Sequence, residues 1–244
     1  MKTKTILTAL ALAGGMTSAA SAQFLISEFQ PNPAGADPTD VSLELFGTAG
    51  ANFSGFFGSI ESDNTGSAGE VQDSGAISGT FDVNGLLTVS IGDLENPSFT
   101  FFISELDPAG LDLDTDADLV ADNVAAFTAI NVYDAISIID DSTNTVDYGA
   151  ALGGIDFAYS GDEPQSIFRD SSGGAWYAVN DPAGTTVFDS TGTAVNGALF
   201  DVDPTVTPTT FGSINPAIPE PSSFALLAGC LALTSVMVRR RSIK

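Results

Sequence analysis

The densest group of residues able to do chemistry is a run of aspartates near the middle of the chain. Aspartate stands at every second position from 112 to 118 and again at 122, giving Asp112, Asp114, Asp116, Asp118 and Asp122. Carboxylates at this spacing can converge on one hard cation, which takes six to eight oxygen ligands. We therefore predict a metal site at these five aspartates, with calcium as the cofactor. The alternative is a solvated acidic loop on an acidic surface.

The aspartate run resembles an EF-hand-type calcium loop in which Asp112 is position one. Positions three, five and seven are aspartate, and position eight is the apolar Leu119. Two positions depart from the pattern: Ala117 replaces the glycine of the sharp turn, and Asn123 replaces the bidentate glutamate, for which the neighbouring Asp122 is a substitute. The resemblance implies a weak calcium module of the extracellular kind, with a Kd of about 10⁻⁴ to 10⁻³ M.

The first 22 residues predict a signal peptide. Lys2 and Lys4 precede a short apolar stretch, and Ala20 and Ala22 are the small residues that signal peptidase reads. Cleavage after Ala22 makes Gln23 the new N-terminus. An uncleaved anchor helix is disfavoured because the apolar stretch is shorter than the ~20 residues that span a bilayer.

The end of the chain, residues 219–244, predicts a membrane-sorting signal. Pro219, Glu220 and Pro221 come first, an apolar run over 224–238 follows, and Arg239, Arg240 and Arg241 close it. The run predicts a transmembrane helix, and the arginines keep the chain end in the cytoplasm. This order resembles the PEP-CTERM sorting signal. The resemblance implies recognition by an exosortase-type transpeptidase in a bacterium that exports an exopolysaccharide matrix; an ordinary C-terminal anchor is the alternative.

Removal of both ends leaves residues 23–218, enough for one sizeable domain. This part carries a single cation, Arg169, against 30 acidic residues, a formal net charge of −29. Nucleic acid is excluded as a partner because its phosphates need basic residues. Divalent cations would relieve the self-repulsion and are the first partners to consider. Arg169 is either a clamp for an acidic sugar or, more simply, an ion-pair partner of an acid such as Asp170 or Glu163.

Most catalytic chemistry is excluded by residue types that are missing. The chain has no histidine, its one cysteine is Cys230 in the sorting signal, and residues 23–218 contain no lysine. Ser-His-Asp and Cys-His catalysis, histidine-ligated zinc and Schiff-base chemistry are therefore absent. Carboxylate pairs such as Glu61 with Asp63 are expected by chance among so many acids. We predict that the protein is not an enzyme.

Short segments rich in phenylalanine and β-branched residues, separated by turn residues, predict an all-β sandwich. Asn84-Gly85 predicts a tight hairpin turn between neighbouring strands. Apolar residues at helical spacing over 118–130 predict one short helical segment. The proline-rich residues 204–218 predict an extended stalk. The strand candidates are 41–45, 81–83, 86–91, 99–103, 136–139, 166–168, 176–179, 187–188 and 198–200.

The segment ISEFQPNPAG, which begins at Ile26, is followed by VSLEL from Val41. This opening resembles lamin-tail-type domains, in which an I-S-E-x-x-P-N-P segment precedes a W-x-E-L strand. Ser42 stands where the aromatic residue of that strand is usual. The resemblance spans residues 24–180 and implies an immunoglobulin-like β-sandwich used for binding or matrix contact.

These features predict a signal peptide (1–22), an exported β-sandwich (23–203), a stalk (204–218) and a sorting signal (219–244). The predicted function is that of a calcium-stabilised, non-enzymatic surface or extracellular-matrix protein associated with exopolysaccharide. The predicted partners are signal peptidase, the exosortase-type transpeptidase and, during processing, the inner membrane. The alternatives are a secreted polysaccharide-acting enzyme that uses carboxylates alone and a carbohydrate-binding module.

Overall fold

A computed structural model of the chain describes residues 24–33, 38–63, 66–94, 98–139, 145–158, 164–172, 174–180 and 185–218. The predicted signal peptide with its cleavage residues, and the predicted sorting signal with its helix 224–238, lie outside these residues. Within the described part of the chain, no helix has both the length and the apolar character to cross a membrane.

Twelve strands and one α-helix form within the described residues, which confirms the predicted all-β class and the short helical segment. The helix is α1 (Val124–Ala129). The strands are β1 (Leu25–Phe29), β2 (Asp40–Phe46), β3 (Asn52–Glu61), β4 (Val71–Thr80), β5 (Leu86–Gly92), β6 (Phe99–Ser104), β7 (Val132–Ile138), β8 (Ile155–Phe157), β9 (Ser166–Arg169), β10 (Trp176–Val179), β11 (Val187–Asp189) and β12 (Ala194–Val195).

The strands form two sheets around a shared apolar core. The seven-stranded sheet has the order β12-β11-β10-β9-β1-β2-β5, and the five-stranded sheet has the order β4-β3-β6-β7-β8. Only the β7–β8 pair is parallel among these strands. The inner faces meet at aromatic contacts such as Phe29 with Phe101, whose ring centroids lie 5.0 Å apart. Burial of such rings on the inner faces is the main apolar contribution to stability.

Strand β6 is buried along its whole length because both of its faces are covered. Phe101 faces the core between the sheets, whereas Phe102 faces a second apolar cluster on the outside of the five-stranded sheet. There the ring of Phe102 meets Phe127 of α1 at 5.6 Å, edge to face. This outer cluster is the platform on which the aspartate run lies.

The turn at Asn84-Gly85 exists, but it does not join two strands of one sheet. Gly85 has φ +79°, as a tight turn requires, and its N–H bonds to the carbonyl of Asp82. The chain then crosses between sheets, because β4 pairs with β3 while β5 pairs with β2. The predicted hairpin and its first strand, 81–83, are therefore wrong. The predicted strand 198–200 is also wrong, since residues 197–199 form a 3₁₀ turn.

Residues 204–218 lie against the outer face of the seven-stranded sheet. Ser166 donates its hydroxyl to the carbonyl oxygen of Pro208 at 2.5 Å, and Asn215 donates its amide to the carbonyl oxygen of Ser27 at 2.8 Å. Just before this segment, the ring of Phe200 packs on Tyr177 at 4.9 Å. This arrangement differs from a stalk that projects from the domain, because the segment covers polar and apolar groups of the sheet.

Candidate metal centre

The aspartate loop, residues 111–123, is fixed to the platform by one buried leucine. Leu113 is fully buried in the outer cluster with Phe102 and Phe127. Its N–H bonds to the carbonyl of Gly69 at 2.8 Å, and its carbonyl accepts the N–H groups of Asp122 and Asn123 at 3.0 Å each. Both ends of the loop are thereby tied to one residue, which restricts the positions of the aspartates between them.

Asp114 organises the centre of the loop from a buried position. Its side chain is 1% exposed. One carboxylate oxygen accepts the N–H of Asp118 at 3.1 Å; the other accepts the N–H of Leu119 at 2.7 Å and the hydroxyl of Tyr148 at 2.8 Å. Burial, followed by the bond to Asp114, raises the pKa of Tyr148, so this hydroxyl stays a donor. The oxygen that accepts only the N–H of Asp118 retains a lone-pair site for a cation, whereas the other oxygen already accepts two bonds.

The loop turns through left-handed backbone conformations that are uncommon for side-chain-bearing residues. Ala117 has φ +54° and Leu119 has φ +69°. The sequence predicts a sharp turn at position 117, normally made by glycine, and the structure makes that turn with alanine. Gly69, with φ +93°, supports the loop from outside: a Cβ there would lie 2.5 Å from the backbone nitrogen of Asp114. Glycine is therefore required at position 69 because the backbone of Asp114 lies too close for a side chain.

The structure brings three of the five predicted aspartates together. Oxygens of Asp114, Asp116 and Asp118 all lie within 4.8 Å of one another. Asp116 and Asp118 are exposed, and the negative charge of Asp118 is the largest cause of the raised pKa of Asp116. The arrangement offers three carboxylates to one cation, with the solvent side open for water ligands.

The other two predicted ligands lie outside this cluster and hold the loop in shape. Asp112 accepts the N–H of Asp114 at 3.0 Å, and burial, then the charge of Glu70, raise its pKa. Asp122 accepts the hydroxyl and the N–H of Thr115 at 2.8 and 3.1 Å, and these bonds lower its pKa. The spacing of Asp112 and Asp122 along the chain predicted metal ligands. In the structure their carboxylates instead accept hydrogen bonds from backbone N–H groups and from the hydroxyl of Thr115.

Arg169 is held by the protein itself. Its guanidinium pairs with Asp134 at 2.7 Å and lies over the ring of Trp176, with 4.3 Å from Cζ to the ring centroid. It also donates to the carbonyls of Ile26 and Gly174. The ion-pair interpretation is thus correct in kind, but the partner is Asp134, which lies 35 positions away in the chain and reaches Arg169 only through the fold. Glu163 lies outside the described residues.

Two cavities have no residue of the aspartate loop in their walls. One, of about 160 Å³, is lined by α1 and its neighbours and has no carboxylate in its wall. The other, of about 320 Å³, has apolar walls at Leu25 and Phe46 and one carboxylate, Asp170. Trp176 and Tyr177, aromatic side chains of the kind that stack on sugar rings, are 3% and 8% exposed and lie in the packed interior.

Comparison with known proteins finds no family model, curated protein or solved structure that matches this chain.

Proposed function

We propose that this chain is an exported, non-enzymatic surface or extracellular-matrix protein whose β-domain is stabilised by calcium at Asp114, Asp116 and Asp118. The convergence of these three carboxylates within 4.8 Å carries the calcium part of the proposal. Export rests on residues 1–22, and sorting by an exosortase-type system rests on residues 219–244. The lamin-tail resemblance supports an immunoglobulin-like form of the sandwich and a role in contact with exopolysaccharide.

Calcium suits this cluster better than other cations do. The ligands are all oxygens, and calcium accepts irregular sets of six to eight oxygens in which waters complete the shell. Magnesium demands near-ideal octahedral geometry, which three side chains from one short loop do not impose. Only one of the three carboxylates is buried, so affinity is expected to be weak, in the range of extracellular calcium modules.

The test compares two double variants that remove the same amount of charge. Asp116→Asn with Asp118→Asn removes two cluster ligands and leaves the buried Asp114 intact. Asp40→Asn with Asp107→Asn is the control, because both residues are exposed. The capping bonds also match: Asp118 accepts the N–H of Val120 at 3.0 Å, and Asp107 accepts the N–H of Ala109 at 3.0 Å. The measurement is the melting temperature of the exported protein with EDTA and with increasing calcium.

Calcium at ~100 times its Kd should stabilise the parent by about 2.7 kcal/mol. For a domain of this size that shift corresponds to roughly 5 to 10 °C. The cluster variant should lose most of the calcium-dependent shift, and the control should keep it. Equal small losses in both variants would show that calcium acts as a general counter-ion, and the metal site would be refuted.

A carbohydrate-binding module is the second candidate function. The observation that favours it is the cavity of about 320 Å³, in which apolar Leu25 and Phe46 stand beside the polar Asn84 and Asp170. Apolar surface next to amide and carboxylate groups is the lining expected of a small polar ligand's site. The enzymatic alternative gains no comparable support, because neither of the two cavities described above has the pair of carboxylates that glycoside hydrolysis uses.

A further inference from the structure

Two buried glutamates face the C-terminal segment from the outer face of the seven-stranded sheet. Glu28 of β1 and Glu44 of β2 are direct cross-strand partners, and their side chains are 1% and 0% exposed. Directly opposed residues on neighbouring antiparallel strands have Cβ atoms about 4.5–5.5 Å apart, so two like charges there repel each other. Burial prevents water from screening that repulsion.

The segment that buries them is a loop, residues 202–216, which we call the C-terminal loop. Thr210 donates its N–H to Glu28 at 2.9 Å and its hydroxyl to the same carboxylate at 2.9 Å. Gly212 donates its N–H to Glu44 at 2.6 Å. The two ends of the loop are joined to each other, since the N–H of Asp201 bonds to the carbonyl of Ala217 at 2.9 Å. Displacement of the middle of the loop would therefore not require its ends to separate.

No cation compensates the two glutamates within the described residues. The one cation there is Arg169 on β9, and its guanidinium is bound to Asp134. Strand β5 carries no charged residue, and the turn before it adds a further negative charge, Asp82, which acts on Glu44. On the C-terminal loop itself the charged residue is Asp203, whose carboxylate caps Thr205.

We propose that the C-terminal loop is a proton-controlled lid, closed onto Glu28 and Glu44 when this pair holds a proton and released as the pair becomes fully ionised. The lid also forms part of the wall of the 320 Å³ cavity, through Ile214 and Asn215. Release of the loop would remove this part of the cavity wall. The device is independent of calcium and of the proposed function.

The sign of the pH effect follows from burial. Burial, helped by the charge of Glu44, raises the pKa of Glu28 from 4.5 to about 7, although the bonds from Thr210 favour the ionised form. Burial likewise raises the pKa of Glu44. The closed state therefore binds more protons than an open state with solvated carboxylates. Closing is favoured fully below pH 4.5, weakens as the pH rises, and has lost this contribution above about pH 7.

The pKa of Glu28 is 4.5 when solvated and about 7 when the loop is closed. Titration of Glu28 alone can therefore change the equilibrium constant for closing by at most about 300-fold. Between pH 5 and 8.5 the same shift predicts roughly a 70-fold loss of closure. Bonds that do not titrate set the baseline on which this change acts: Ser166 donates to Pro208, Ser171 donates to the carbonyl of Asn215, and the Asn215 amide donates to the carbonyls of Ser27 and Arg169.

The test is amide hydrogen–deuterium exchange of the full chain in detergent from pH 5 to 8.5, with rates corrected for intrinsic exchange. In the parent, protection of residues 209–215 should fall by tens of fold across this range while β1 and β2 stay protected. Glu28→Gln with Glu44→Gln should make that protection independent of pH. Glu70→Gln with Glu105→Gln, two exposed glutamates, should leave the parental pH dependence unchanged.

Three results would overturn the lid: constant protection of 209–215 in the parent, a persisting pH dependence in the glutamine pair, or loss of protection in β1 and β2 in step with the loop. If the glutamine pair does not fold, Thr210→Val keeps both carboxylates and removes one donor that favours the ionised Glu28. The pH midpoint of opening should then move upward, and an unchanged midpoint would equally refute the proposal.

Discussion

Ala117→Gly should stabilise the protein, whereas glycine usually destabilises. Ala117 has φ +54°, a left-handed conformation that costs a side-chain-bearing residue about 1–2 kcal/mol. Glycine adopts it without that cost but loses more conformational entropy on folding, by roughly 0.5–1 kcal/mol. The net expectation is a gain of about 0.5–1 kcal/mol, or roughly 1–4 °C in melting temperature for a domain of this size.

The free energy of unfolding by urea, with EDTA and with calcium, measures this effect. The gain should appear under both conditions, because the turn at Ala117 is made by the backbone and does not need the ion. Ala125→Gly is the control, since Ala125 is exposed and lies inside α1, where glycine should cost about 1 kcal/mol.

A loss at Ala117 as large as the loss at Ala125 would refute the reasoning. It would mean that residue 117 is not left-handed. The carboxylate of Asp114 could then not accept the N–H groups of both Asp118 and Leu119 as described. The convergence of Asp114, Asp116 and Asp118 depends on that turn, so the proposed metal site would also be refuted.

Two further predictions concern the support of the loop and the ends of the chain. Gly69→Ala should destabilise the protein by about 2–5 kcal/mol in urea, because a Cβ there lies 2.5 Å from the nitrogen of Asp114 at φ +93°. Gly66→Ala is the control, because a Cβ at Gly66 meets nothing within 4 Å, and it should change stability by at most about 0.5 kcal/mol. Similar costs at both glycines would refute the close packing of Gly69 against Asp114. Intact-mass analysis of the exported protein should find Gln23 as the first residue and no residues from 224–244. Retention of Met1 would refute the signal peptide, and retention of 224–244 would make the tail a plain anchor.

The strands that the sequence predicts well are those whose apolar residues are consecutive or alternate. Trp176–Val179 has the predicted bounds, and Phe99–Ser104 exceeds its prediction by one residue. Strands β3 and β4 escaped prediction because glycine and serine fill four of the ten positions in each and interrupt the apolar pattern. Those glycines make room for rings: a Cβ at Gly75 would lie 2.8 Å from the ring of Phe57, and Gly58 lies against the ring of Phe102. The glycine content of these strands resembles that of a loop, but the packing of the rings against the strands requires it.

The start of the helix and the surroundings of the metal site also depend on contacts that the local sequence pattern does not reveal. Apolar spacing predicts a helix from 118, but α1 begins at Val124, because Leu119 is left-handed and the preceding residues fold around Asp114. The alternation of aspartates correctly places Asp114, Asp116 and Asp118 near one another. It cannot identify Tyr148, which is 34 positions away and reaches Asp114 only through the fold.

Most of the described carboxylates in this acidic chain are stabilised by hydrogen bonds from backbone N–H groups. The aspartate loop differs from the rest of the surface in the strength of its like-charge repulsion. Asp82 accepts the N–H groups of Asn84 and Leu86, and Asp189 accepts the N–H groups of Thr191 and Thr193, so backbone amides replace the missing cations. Elsewhere the described carboxyl groups with a raised pKa owe it first to burial. Asp116 is the exception, because the like charge of Asp118 is its largest cause. Among the exposed carboxylates, like-charge repulsion is therefore the leading cause of a raised pKa in this cluster, where a bound divalent cation would lower the free energy of the folded state more than one spread over the acidic surface.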